Sequence, residues 1–112
     1  YDRMLGHDNV VLKVAILRHA VNDFILELVE YKNPVGRKRE LDNPFIGSSH
    51  LAFEVDDVDV VYALFRDAGY GAINPPVNVE RDGIAVARAM YGLDPDGISI
   101  EIFQEFEDVI KK

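Results

Sequence analysis

Glu27, His50 and Glu101 are the residues through which this chain could do chemistry. Each lies in a short apolar run: FILELVEY (24–31), SSHLAFEV (48–55) and ISIEIFQ (98–104). Strand alternation turns each of the three away from its immediate hydrophobic neighbours. A lone carboxylate buried in such a run costs several kcal/mol or takes up a proton. Two carboxylates and one imidazole facing a common cavity would be satisfied by a divalent cation between them. The plain alternative is three partly solvated strand residues. Glu27 fits that alternative least well, because Ile25, Val29 and Tyr31 share its face. Ser99 and Phe103 lie on the side of Glu101, and Ala52 and Glu54 on that of His50.

Other side chains are candidates around these three. Glu54 could contact substrate, act as a general base, or simply be a polar wall residue. Tyr91 could donate a hydrogen bond to a substrate oxygen or pack as an ordinary aromatic. Arg37, Lys38 and Arg39 suit an anionic substrate tail, although a basic run in a linker is ordinarily just solvated. His7 in a leading loop and His19 at a turn read as solvated, and Glu30 reads as a surface residue on the face opposite Glu27.

Elements must hold these residues in place. Residues 10–17 (VVLKVAIL) and 24–31 read as two strands joined by a turn at AVND (20–23). Residues 32–47 hold two Asn-Pro pairs, two glycines and the basic run, the composition of a linker. SSHLAFEV is a strand whose Leu51, Phe53 and Val55 should pack on a helix. Asp56 and Asp57 are N-cap candidates for that helix. Val58, Val61, Tyr62, Phe65 and Ala68 follow its apolar period, and Gly69 closes it. Residues 71–79 (GAINPPVNV) form a strand interrupted at Pro75 and Pro76. IAVARAMYGL (84–93), the turn DPDG (94–97) and ISIEIFQ complete the order, and the tail 105–112 is expected to add a helical turn. From residue 48 the chain reads β-α-β-β-β, an α+β arrangement.

The hairpin of the first thirty residues looks like a copy of the last one. Setting Glu27 on Glu101 matches LEL to IEI, Ala15 to Ala89 and the turn at 20–23 to DPDG. In the complete unit His50 precedes Glu101, whereas the matching position before Glu27 falls ahead of Tyr1. The expected organisation is a partial first module over 1–31, a linker over 32–47 and a complete module over 48–112. Phe24, Leu26 and Leu28 then have no helix to cover them, which forgoes roughly 1.5–3 kcal/mol per side chain. Either a longer native chain or a second copy is expected to cover that surface.

Bulk properties narrow the function. The 112 residues carry 20 acidic and 12 basic side chains, a net charge of −8, so nucleic acid and anionic membrane are not expected partners. There is no cysteine, which removes thiolate metal sites, disulfides and cysteine nucleophiles. No apolar run is long enough to span a bilayer, no leader pattern opens the chain, and a cytoplasmic location is expected.

LELVEYKNPVG, GSSHLAFEVDDVDVVYALFRDAG and LDPDGISIEIFQ, in that order, resemble the vicinal oxygen chelate superfamily of glyoxalase I, epimerases, extradiol dioxygenases and bleomycin-resistance proteins. The resemblance covers about 10–104. It implies βαβββ modules forming a half-open barrel, here with the first module incomplete. It also implies one divalent metal (Mg, Mn, Fe, Co, Ni or Zn) bound by Glu27, His50 and Glu101, with a first-module ligand lacking a counterpart. It further implies a small substrate with adjacent oxygens, Glu101 or Glu27 as proton shuttle, and a homodimer or higher homo-oligomer completing the barrel. Only one histidine is placed for oxygenase chemistry, so lyase or isomerase chemistry ranks first. The alternative is a metal-free, drug-sequestering binding protein.

Overall fold

The computed structural model describes residues 2–106, and the tail expected to be helical lies mostly outside them. The chain divides into two compact units, Tyr1–Arg39 and Glu40–Lys112, with the division falling inside the stretch read as a linker. The fold class is α+β.

The first unit holds a short helix α1 (Asp2–Leu5) and two strands, β1 (Val11–Arg18) and β2 (Ile25–Asn33). Helix α1 has too few residues to carry an apolar period, so it left no trace in the sequence. The Asp2 carboxylate takes the place of missing turns by accepting from the amides of Asn9 (2.9 Å) and Val10 (2.8 Å). Those two bonds hold the Asp2 carboxyl below its usual range. Strands β1 and β2 pair antiparallel, with Ile16 opposite Glu27 and Ala15 opposite Leu28. Their turn is set by His19, whose Nδ1 accepts from the amides of Val21 (3.2 Å) and Asn22 (3.4 Å). Asp23 then takes a left-handed conformation (φ 59°) to bring the chain back.

The second unit is β3 (Leu51–Glu54), α2 (Val58–Asp67), β4 (Val77–Arg81), β5 (Ile84–Leu93) and β6 (Ser99–Glu105). Its sheet runs β3-β6-β5-β4, with β3 parallel to β6 and the other pairs antiparallel. Asp57 caps α2 from an extended conformation, and its side chain accepts from the amides of Asp59 (3.0 Å) and Val60 (3.3 Å). At the other end Gly69 adopts φ 80°, and the Tyr70 amide turns back onto the Phe65 carbonyl at 2.9 Å. Helix α2 covers one face of the sheet. Val58, Met90 and Ile102 are buried there, with Val55, Val61, Tyr62, Phe65, Ala72 and Ile100 packed against them. Arg88 ties the helix down by two hydrogen bonds to the Asp59 carboxylate (2.8 and 2.9 Å) and one to Asn78 Oδ1 (3.1 Å).

Two further details differ from the sequence reading. Strand β3 begins at Leu51, so His50 stands just before it and not within it. The match of Ala15 to Ala89 is shifted by one. Glu27 lies opposite Ile16, while Glu101 lies opposite Tyr91. The first turn, residues 19–24, is one residue longer than the second, residues 94–98, so the repeat is continuous in the second strand of each hairpin but displaced in the first. Ile16 is the structural counterpart of Tyr91, and Ala15 that of Met90.

Candidate functional site

The sheet face of the second unit opposite α2 gathers His50, Tyr91 and Glu101. Their convergence follows from register. Glu101 on β6 lies between Ala52 on β3 and Tyr91 on β5, and paired residues in adjacent strands project to the same side. Ala52 leaves room beside Glu101, and His50, two residues earlier on the same side, reaches across. Its Nε2 stands 3.4 Å from Glu101 Oε2 and 3.4 Å from Tyr91 Oη. The imidazole meets the phenol ring edge-on, with centroids 5.2 Å apart and planes at 87°.

The cluster is neither sealed nor bare. The His50 and Glu101 side chains are 39% and 30% exposed, so both are accessible from solvent. The Tyr91 phenol is pushed above its ordinary value of 10.0, first by partial burial and then by the negative charge of Glu101. At neutral pH Tyr91 is therefore a hydrogen-bond donor. The site offers one imidazole nitrogen, one carboxyl group and one hydroxyl donor on a common side.

Backbone contacts fix Tyr91 from the far side. Its carbonyl accepts from the Ile73 amide at 2.8 Å, and its amide donates to Asn74 Oδ1 at 3.3 Å. Asn74 had no part in the sequence reading. Its only signal is its place beside Pro75 and Pro76, where the strand must leave its ladder.

Glu54 is exposed on the same sheet face, in register with Phe103, two residues along from Ala52. Glu27 belongs to the first unit, where it is exposed on β2 opposite Ile16. Arg37, Lys38 and Arg39 are exposed at the end of that unit. His19 is engaged in its own turn, and Glu30 pairs with Lys32 at 2.7 Å on the surface. Among the described residues no three histidine, aspartate or glutamate side chains are grouped closely enough to hold a metal by themselves.

His50 and Glu101 nevertheless suit a shared ion. Two donors each about 2.1 Å from a tetrahedral centre are about 3.4 Å apart, the separation seen here. An imidazole with a carboxylate is also a donor pair fitted to first-row divalent metals.

The sequence profile of the Glyoxalase/Bleomycin resistance protein/Dioxygenase superfamily matches residues 11–102. The chain belongs to this superfamily. Solved structures agree at the level of fold. A glyoxalase family protein from Bacillus cereus superimposes with a TM-score of 0.79 at 20% identity, covering 94% of this chain and 69% of that one. A glyoxylase/bleomycin resistance protein/dioxygenase domain from Frankia gives 0.63 at 20% identity, over 89% of this chain and 68% of that one. The trypanothione-dependent glyoxalase I of Leishmania major gives 0.59 at 22% identity, over 89% of this chain and 64% of that one. No curated protein matches the chain. A fold does not fix a function, so function has to be argued from the site.

Proposed function

We propose that this chain is a metal-dependent lyase or isomerase of the glyoxalase/epimerase type, acting on a small substrate with adjacent oxygens. The observation that carries this reading is the 3.4 Å separation of His50 Nε2 and Glu101 Oε2, on a sheet face open to a ligand. His50 and Glu101 are the proposed ligands of one divalent cation. Glu27 is kept as a further donor because it holds in the first hairpin the second-strand position that Glu101 holds in the last. A bound cation would supply Lewis-acid stabilisation of negative charge on the substrate's oxygens.

The chain's own residues would do the rest. Tyr91, neutral at working pH, would donate its hydroxyl hydrogen to a substrate oxygen and so orient it. Glu101 or Glu27 would take a proton from the carbon beside that oxygen and return it to the neighbouring position. Glu54, farther along the same face, would contact the distal part of the substrate. The barrel expected of the family would be completed in a homodimer or higher oligomer, and the acidic chain would work in the cytoplasm without nucleic acid or membrane as partner.

Elemental analysis of the purified protein tests the reading. One equivalent of a divalent metal is expected, lost in His50→Ala and Glu101→Gln. A metal content unchanged in both variants would refute it. A second reading, a metal-free protein that sequesters small molecules, is favoured by one finding: among the described residues no third ligand-type side chain joins His50 and Glu101. Protein that takes up no metal yet binds aromatic or cationic compounds would support it.

A further inference from the structure

We propose that Asn74 is a positioning residue for this site, acting through Tyr91 on His50. The inference rests on the metal-centre reading above and extends it to a residue outside the ligand set.

Strand β4 pairs with β5 only from Val77, opposite Ala89. Before that, a single bridge joins Ala72 to Gly92. Between the two the chain carries Pro75 and Pro76, which have no amide hydrogen and cannot continue a ladder. In a regular antiparallel pair one residue exchanges both its hydrogen bonds with the residue opposite. At Tyr91 that exchange is split. Ile73 supplies the amide that its carbonyl accepts, at 2.8 Å, but the Ile73 carbonyl does not take its amide in return. Asn74 Oδ1 takes it instead, at 3.3 Å. The other end of the same side chain is anchored, because Nδ2 donates to the Pro75 carbonyl at 2.7 Å. One amide side chain thus replaces a rung of the sheet at the residue whose ring touches His50.

This placement reaches the imidazole directly. Tyr91 Oη is 3.4 Å from His50 Nε2, and the two rings are in edge-to-face contact. Nε2 is also the nitrogen facing Glu101. His50 precedes β3 and so lacks the strand's own ladder to hold it. The Tyr91 ring is the wall against which its orientation is set, and Asn74 sets the height of that wall on β5. Groups that orient a metal ligand typically change metal affinity tenfold or more when removed.

The test compares Asn74→Ala with Asn74→Asp in the full chain. Asp keeps an oxygen for the Tyr91 amide and loses the bond to Pro75, so it separates the two roles of Asn74. Two readouts are used: proton NMR contacts between the Tyr91 and His50 rings in metal-free protein, and the Kd for Mn²⁺ by calorimetry. Asn74→Ala is expected to lose the ring contacts and weaken Mn²⁺ binding about tenfold. Asn74→Asp is expected to keep the contacts and bind within about twofold of the parent. Asn74→Ser, whose oxygen falls one bond short of the amide, replaces the alanine variant if that one does not fold. Variants that melt earlier but keep both ring contacts and Kd would overturn the proposal and leave Asn74 a purely structural residue. If the parent itself binds no Mn²⁺, the metal reading fails, and the ring contacts still decide whether Asn74 positions the pair.

Discussion

Tyr91 shows how one side chain's surroundings set its chemistry. Partial burial and, less strongly, the Glu101 carboxylate raise its phenol above 10.0. The phenolate absorbance of the parent minus that of Tyr91→Phe should therefore titrate above pH 10. Glu101→Gln should bring the midpoint only part of the way down, since burial is the larger cause. The folded phenol is a weaker acid than the unfolded one, so the contribution of neutral Tyr91 is intact below pH 10 and is lost as pH rises through the folded value. A midpoint at or below the ordinary value would contradict the packing described around this ring.

The helix and its sheet face are held by a few contacts that can be broken one at a time. A Cβ added at Gly92 would collide with the ring of Phe65. Gly92→Ala should cost about 1–3 kcal/mol in denaturant unfolding, and pairing it with Phe65→Leu should recover part of the loss. Asp57→Ala removes the helix cap and should cost about 1 kcal/mol. The clasp of Arg88 on Asp59 holds the Asp59 carboxyl below 3.8, through the hydrogen bonds first and the charge second. A depressed carboxyl stabilises the fold above its unfolded value, and that contribution disappears as pH falls through the folded value. Acid unfolding of Asp59→Asn should consequently be less steep below about pH 4 than that of the parent. Equal slopes would show that the clasp adds nothing to acid stability.

At the scale of the molecule, the two units differ in how much they bury. Every fully buried side chain among the described residues lies in the second unit. The first is a hairpin whose Ile16, Leu17, Ile25 and Leu28 are each at least half exposed, and a lone two-stranded hairpin is marginal in water. Hydrogen exchange on the full chain should find the amides of β1 and β2 exchanging well before those of β5 and β6. Equal protection at high protein concentration but not at low would point to a second copy lying on the hairpin.

Much of this was legible in the residues alone. Alternation in IAVARAMYGL and ISIEIFQ, the cap at Asp57, the closing Gly69 and the break at Pro75 and Pro76 each depend on neighbours in the chain, which is why they could be read locally. Residue type and place in an apolar run singled out Glu27, His50 and Glu101, of which His50 and Glu101 are brought together. What the linear order could not disclose was which side chains meet. One extra residue in the first turn moves Ile16, not Leu17, opposite Glu27, and a pattern match between hairpins cannot see that. Arg88 and Asp59 are 29 positions apart, and Asn74 and Tyr91 are 17 apart. Their contacts exist because strand register and helix docking bring them to one level. Element identity was set by local stereochemistry and hydrophobic period. The meeting of His50, Tyr91 and Glu101 was settled by the pairing of three strands, a sum of loop lengths and offsets that only the folded chain performs.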